Sequence, residues 1–560
     1  MYSRGKVLYG LMAVLLVLGS LLAGCNNSGS SNTSGEKFEL AKDQVLHFNL
    51  LDEPNTIDPS YDEDTTEETV IKQTFVGLVR YKPDLTVEPA IAESWKISAD
   101  AKQFTFKLRD TKWSDGTPVT ANDFEYAFKR FLDPKIASSY AFFLYDVKGA
   151  EAYNTALGTS DKPLNPSDAD LAKLRDAVGV KALDAKTLQV DLAVPAVYML
   201  NIFAQGDLSP LKKDVIDKYG DKWTEPANIV SNGPFKLKSW EHKSKMVLER
   251  NPNYFDKAPT LERIEFSFIT EDAPAWAAYE NNELDISHTI PDAQIPQLRT
   301  DPKYSKEVIE GTQLATYYVS MNTNKPPFDK KEVRQAFQMA VDTKTLCEKV
   351  LNGTCRAAKS FVPPGMPGYQ ADIGFDYNPT KAKELLAKAG YPDGKGFPEV
   401  TLVYNTSTGH QLRMEYVQSQ LKQNLGINIK LENWESKTYF RKVDTDKPQM
   451  ARMGWMSDYP HPNDWLRIVW ASDAGQNYLK WKNTQFDDLV TKAAAEVDQK
   501  KAIDLYNQAQ KILVDEAPAI WIYYYGTFRL VKPWVKGLVT TPQDPNIGAY
   551  FWKDIQIAAH

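Results

Sequence analysis

Cysteine is scarce in this 560-residue chain, with three residues at positions 25, 347 and 355. That excludes a disulfide-built scaffold and a four-cysteine zinc site. The six histidines (His47, His242, His288, His410, His461 and His560) never fall two or four apart, so the usual zinc-ligand spacings are missing too. Positive charge is not in excess: Lys plus Arg is 66 against 73 for Asp plus Glu, a net charge of −7. Nothing is spare to neutralise a phosphate backbone, and nucleic acid is excluded as the expected partner. The motifs GxSxG, HExxH, GxGxxG and GxxxxGK[ST] are all absent. The expectation is a protein that is not an enzyme, with no cofactor and no metal.

What is present is material for a large buried core: 42% of residues are hydrophobic, 25% charged and 12% aromatic. Single cores stop growing at roughly 250–300 residues, so this length implies three or four domains or lobes and at least one cleft between them. No repeat of 20–50 residues is visible, which argues against solenoids and propellers.

The N-terminus reads as an export signal: Arg4 and Lys6, an apolar run over 7–18, then Leu22-Ala23-Gly24-Cys25. Fewer than about 20 apolar residues precede Asn26 and Asn27, too few for a membrane-spanning anchor. The small residues leading into Cys25 resemble the lipobox of bacterial lipoproteins. The resemblance implies a signal peptide over 1–24 and a lipidated Cys25 that holds the chain to the membrane. Residues 25–37 continue as a flexible Gly/Ser/Asn tether.

Cys347 and Cys355 lie in the exported body, where oxidation is permitted. On one helix they would stand about 12 Å apart, but Asn352-Gly353 between them is a helix stop that lets the chain fold back. A disulfide and two buried thiols are the two readings.

Strand-like and helix-like stretches alternate, as in an α/β protein. Residues 104–108 alternate like a half-buried strand, followed by a turn at Ser114-Asp115-Gly116. Thr120 and Asp123 form a capping box for an amphipathic helix through Phe124, Phe128 and Phe131 that stops at Pro134. Strands are expected over 316–321, 400–404 and 427–431, and helices over 333–341, 381–389 and 411–424. The last strand–helix–strand run is a βαβ unit with a parallel sheet.

The acidic run Asp62-Glu63-Asp64 with Glu67 and Glu68 lacks the Gly-centred loop that calcium needs and reads as a solvated or cleft-edge loop. The densest unusual stretch is Ala451-Arg452-Met453-Gly454-Trp455-Met456-Ser457-Asp458-Tyr459-Pro460-His461-Pro462. An Arg and an Asp six apart suit a strand leaving a sheet at its C-terminal end, where α/β proteins bind ligands, and could receive the two ends of a zwitterion.

This stretch resembles the Gly-Trp-x-x-Asp-Tyr segment of solute-binding proteins of the oligopeptide permease type. The resemblance extends through Ala92-Glu93-Ser94-Trp95, the run from Lys112-Trp113-Ser114-Asp115-Gly116 to Thr120, and Ser231-Asn232-Gly233-Pro234-Phe235. Asn251-Pro252-Asn253-Tyr254, Asn322 with Val333-Arg334-Gln335-Ala336, and Arg529 to Trp534 follow in the family's order. It implies an α/β fold of the periplasmic-binding-protein class II type, with two lobes, a hinge and three domains. Domain I would be 38–75, 205–314 and 529–560, domain II 76–204 and domain III 315–528.

The resemblance also implies function: short peptides of about two to five residues, held between lobes and delivered to the membrane subunits of an ABC importer. Asp458 matches the carboxylate that pairs with the peptide α-amino group. Gly454, Trp455 and Met456 match a strand that bonds the peptide backbone, with Glu63, Asp64 and Thr65 as its counterpart on domain I. Arg452 and His410 match cations that meet the peptide carboxylate, and Tyr126 a tyrosine near the peptide N-terminus. The expected protein is a lipid-anchored monomer on the extracytoplasmic face, a Gram-positive surface being favoured over a periplasm.

There are departures. A family cysteine pair is Ala315 and Met456 here, Ser436 replaces a pocket tryptophan with Trp434 two residues earlier, and Ser320 replaces a pocket glutamate. Plainer roles are open for several residues: a salt bridge for Arg452, a loop position for His410, core packing for Trp455. Other readings of the whole chain are a peptide-pheromone or cell-wall-peptide sensor, a binder of nickel, haem or sugar, and a secreted hydrolase.

Overall fold

The computed structural model describes residues 37–560 apart from 160–161, 289, 291–293 and 436–437. The signal over 1–24, Cys25, the tether before Lys37, and Ser436 lie outside the described residues.

Two four-stranded sheets share one core. The strands of the first are β1 (Val45–Asn49), and β6 (Phe235–Glu241), β7 (Lys245–Arg250) and β8 (Arg263–Ser267). Their order is β1-β8-β7-β6, with β1 parallel to β8 and the rest antiparallel. The second sheet, antiparallel throughout, holds β2 (Ala92–Ile97), β3 (Gln103–Leu108), β4 (Val180–Asp184) and β5 (Thr187–Asp191) in the order β2-β3-β5-β4. Two helices matter here, α1 (Thr65–Thr74) and α2 (Ala121–Phe131). In α2 the reciprocal cap forms, with the Thr120 N–H donating to Asp123 at 2.7 Å. Phe124, Phe128 and Phe131 then fall on one face and join Phe104 and Phe106 of β3 in the core, which continues into Phe48 and Phe266 of the first sheet.

The third sheet has six strands: β9 (Val308–Met321), β10 (Cys355–Ala357), β11 (Thr401–Asn405), β12 (Lys430–Trp434), β13 (Met450–Met456) and β14 (Ala519–Leu530). Their order is β10-β14-β9-β13-β11-β12. Side chains alternate across it: Tyr317, Val319 and Met321 enter one core, while Tyr318 enters the other with Trp465, Trp470 and Trp521. Helices α3 (Lys331–Met339), α4 (Pro379–Lys388) and α5 (Thr408–Leu425) cover the first face, and α6 (Pro462–Trp470) covers the second.

Among the described strands, β11 pairs parallel with β12 and β13 in this sheet and β1 with β8 in the first, so the βαβ unit is real but sits in a mixed sheet. Strand β12 starts three residues later than its pattern suggests. Gly426 ends α5 in the left-handed region (φ 71°), and Ile427 and Ile429 are buried before the strand begins.

The long strands β9 and β14 pair in two stretches, Val308↔Leu530 to Thr312↔Gly526 and Thr316↔Tyr524 to Ser320↔Ala519, with the register shifting between them. Leu530 and Phe528 pack in a separate small core with Tyr279 and Leu298. The ladder therefore joins two differently packed regions across a locally unpaired segment. Cys347 and Cys355 are disulfide-bonded with Cα atoms 5.3 Å apart. Asn352 and Gly353, at φ 52° and 72°, reverse the chain between them.

Candidate ligand-binding cleft

Strand β13 has two different edges. On one it pairs antiparallel with β9 over its whole length, Ala315↔Met456 to Met321↔Met450. On the other, β11 pairs only with Met450 and Ala451. Because the Ser457 N–H donates to the Leu314 carbonyl at 2.8 Å, alternation turns the N–H and C=O of Gly454 and Met456 the opposite way, toward the unpaired edge. Gly454 suits a close approach there: a Cβ at 454 would stand 3.3 Å from Arg452 Nη2 and 3.6 Å from the Tyr525 hydroxyl. Met456 is 55% exposed, unusual for so large an apolar side chain.

Two residues past the strand, Asp458 is fixed by its main chain. Its N–H donates to Asp464 Oδ2 at 3.1 Å, and its carbonyl accepts from Gln205 at 2.6 Å. Gln543 donates to the Ser457 carbonyl at 2.9 Å. Tyr459 then enters the core of the four-stranded sheets, stacked on Tyr198 at 6.2 Å. The loop is thus anchored on both sides, and none of these bonds uses the Asp458 carboxylate.

That carboxylate lines a cavity of about 200 Å³ with Asp62, Glu68, Asp207, Tyr140 and Gln543. Burial, with the charges of Asp207 and Glu68 added, pushes Asp458 up to about 7. Burial likewise pushes Asp207 up to about 7, and Asp62 and Asp464 lie well above the usual carboxylate range. Lys72, 3.8 Å from Glu68, is the cation set among these acids. The cluster is short of positive charge. Asp464 is fully buried, and Trp455 Nε1 donates to its Oδ2 at 3.2 Å, so Trp455 positions the Asp458 loop. A larger cavity of about 500 Å³ opens on the other side of Asp458, lined largely by apolar groups such as Phe142, Val194 and Ile468.

At the far end of the unpaired edge the charge reverses. Arg452 is 8% exposed and forms no ion pair among the described residues. Its Nη1 reaches Asn405 at 3.3 Å, and its guanidinium lies 4.6 Å from the Tyr317 ring centre. The salt-bridge reading of Arg452 is therefore not what the structure shows. His410, in the first turn of α5, is 3.0 Å from the Tyr317 hydroxyl through Nδ1. Burial, then the nearby Arg452 and Arg413, pull it down to about 4, so the ring is neutral at neutral pH.

The remaining expected residues are placed differently. Glu63, Asp64 and Thr65 line the acidic cavity but are not a strand. Asp64 caps α1, accepting from Thr66 and Glu67, and the Glu63 N–H donates to Glu67. Tyr126 lies on α2 with Lys213 5.7 Å over its ring and is not among the residues lining either cavity; the tyrosine lining the acidic cavity with Asp458 is Tyr140. Trp434 is buried, with Lys442 3.9 Å over its ring. Asp62, Glu68, Asp207, Asp464 and Tyr140 were not singled out as site residues by sequence. They come together from positions up to about 400 residues apart, and no local pattern marks them.

Residues 86–477 match the family model of bacterial extracellular solute-binding proteins, family 5. The chain belongs to this family. It is 32% identical over 565 residues to the oligopeptide-binding protein OppA of Bacillus subtilis, covering 98% of this chain and 99% of that one. Among solved structures, the murein tripeptide binding protein MppA in its unliganded open form superposes with a TM-score of 0.82 at 33% identity, covering 93% of this chain and 99% of that one. A second structure, of the Escherichia coli MppA, gives 0.71 at the same identity, covering 93% and 100%. The fold is the class II periplasmic-binding-protein type. The family is one of binding proteins, not enzymes, and acts outside the cytoplasm. Among the described residues no helix is long and apolar enough to cross a membrane.

Proposed function

We propose that this family 5 protein captures short peptides and passes them to the membrane subunits of an ABC importer. One observation carries the reading: a single strand with a free edge is flanked by uncompensated acids at one end and an unpaired guanidinium at the other. A peptide added to that edge bonds through its main chain at Gly454 and Met456, giving affinity without reading side chains. Its α-ammonium meets Asp458 and its carboxylate meets Arg452, with His410 contributing a neutral hydrogen bond. Tyr140 takes the place beside the peptide N-terminus that resemblance gave to Tyr126, and Glu63, Asp64 and Thr65 close over the ligand from the other lobe.

Six residues of extended chain from Arg452 to Asp458 span about 20 Å. Both side chains reach inward, which leaves room for three or four peptide residues at about 3.4 Å each. The lobes are domains I (38–75, 205–314, 529–560) and II (76–204) on one side and III (315–528) on the other, closing about the unpaired segment of β9 and β14 on a μs–ms scale. The protein works as a monomer held by lipid on Cys25, at a Gram-positive surface. Native then denaturing mass spectrometry of the protein lacking residues 1–25 tests the ligand class. Release of masses of a few amino acids supports it, and release of a metal, haem or sugar overturns it.

A further inference from the structure

Arg452 is not the only guanidinium at its end of the cleft without an anion. Arg413, one turn along α5 from His410, lies 5.8 Å from the Tyr317 ring centre and 5.6 Å from that of Tyr523, which stacks on Tyr317 at 4.8 Å. Two guanidinium groups and one imidazole thus surround a single buried tyrosine. Arg413 donates from Nη1 to the Gly409 carbonyl at 2.7 Å and forms no ion pair among the described residues. The Nε atoms of both arginines are buried without a hydrogen-bond partner. The N-terminus of α5 lies beside these cations, and its N-cap Ser407 makes no side-chain cap bond.

Burying a cation without a counterion is unfavourable, and the buried Arg452 has a second, half-buried guanidinium beside the same ring, which adds repulsion. A peptide's terminal carboxylate can engage one guanidinium through two parallel bonds, and it leaves the second still lacking an anion. We propose that Arg413 receives a second carboxylate, so that the cleft selects peptides whose C-terminal residue is Asp or Glu. The two acidic groups of such a residue are a few ångströms apart and address neighbouring cations, whereas the penultimate side chain of an extended peptide turns to the other face and the one before it lies a further two residues away. The inference rests on the peptide reading above and assigns a specificity-determining role to a residue outside the strand.

Calorimetry of the wild-type protein with Ala-Ala-Glu, Ala-Ala-Gln and Ala-Ala-Lys, and with the corresponding tetrapeptides, tests it. The Glu peptide is expected to bind about 10- to 100-fold more tightly than the Gln peptide, with Lys weakest, in line with charge-assisted hydrogen bonds. Arg413→Gln should collapse the Glu-over-Gln ratio to within about threefold while leaving the Gln affinity unchanged, and Arg413→Lys should keep part of the ratio. Equal binding of Glu and Gln peptides by the wild type overturns the inference without any variant, as does an equal loss for both in Arg413→Gln. Binding of none of the peptides overturns the peptide reading together with it.

Discussion

Replacing Asp458 by Asn should weaken peptide binding and at the same time stabilise the empty protein. The ammonium loses a half-buried ionic partner, a change that costs about 3–5 kcal/mol, or roughly 150- to 5,000-fold in affinity. Asp62, Glu68 and Asp207 remain around the cavity, with Asp464 behind the loop, so the loss should fall near the lower figure. The loop keeps its place because Gln205, Gln543 and Asp464 hold only main-chain groups of Ser457 and Asp458. Removing one of several crowded carboxylates relieves repulsion in the free state. Calorimetric titration with trialanine and thermal unfolding at pH 8 read the two effects. A fall in affinity with a rise in unfolding temperature is expected. Unchanged affinity, or a loss of stability, would refute the reasoning, because a merely structural aspartate loses stability when replaced.

Four further outcomes follow from the same geometry. A tripeptide N-methylated at an amide facing β13 should bind about 2- to 10-fold more weakly than its parent by calorimetry, since one main-chain bond contributes about 0.5–1.5 kcal/mol. Affinity should rise between pH 5.5 and about 7.5 as Asp458 and Asp207, both at about 7, lose their protons, then fall as the peptide α-amino group, ordinarily at about 7.7–8.0, is deprotonated. Binding at pH 6.5 should therefore release protons, measurable in two buffers of different ionisation enthalpy. These raised carboxyls favour the folded state in acid, an effect complete below about 4 and lost as pH climbs through about 7, so the empty protein should unfold at lower temperature at pH 8 than at pH 6. Replacing Cys347 and Cys355 by Ser opens a loop with a sequence separation of 8 and should lower stability by about 2–3 kcal/mol in denaturant titration.

Local physics was legible in the sequence where one element carries its own signal. Phe124, Phe128 and Phe131 with the Thr120–Asp123 cap mark α2 without reference to the rest of the chain. The strand from Met450 to Met456 and the aspartate beyond it are continuous, so Gly454, Arg452 and Asp458 could be read as one unit. The acidic cavity was not legible, because Asp62 and Asp207 lie far apart in sequence and meet each other and Asp458 only once the chain has folded. In sequence, Asp207 is an isolated acid beside Gly206. Arg413 looks like an ordinary surface cation on an amphipathic helix, and only its position over Tyr317 and Tyr523 distinguishes it. Tyr126 and Tyr140 differ in the same way. Both are half-buried tyrosines, and it is the fold that brings Tyr140 to the charges of Asp458 and Asp207.

The central claim is that a free peptide amine is recognised by Asp458 while the main chain is held along the open edge of Gly454 and Met456. Its most direct test compares trialanine with N-acetyl-trialanine by calorimetry at pH 7.5. The acetyl group removes the ammonium and leaves the peptide bonds and carboxylate intact. Binding of trialanine with a loss of about 100-fold or more on acetylation is predicted. Equal affinity for the two would contradict the claim.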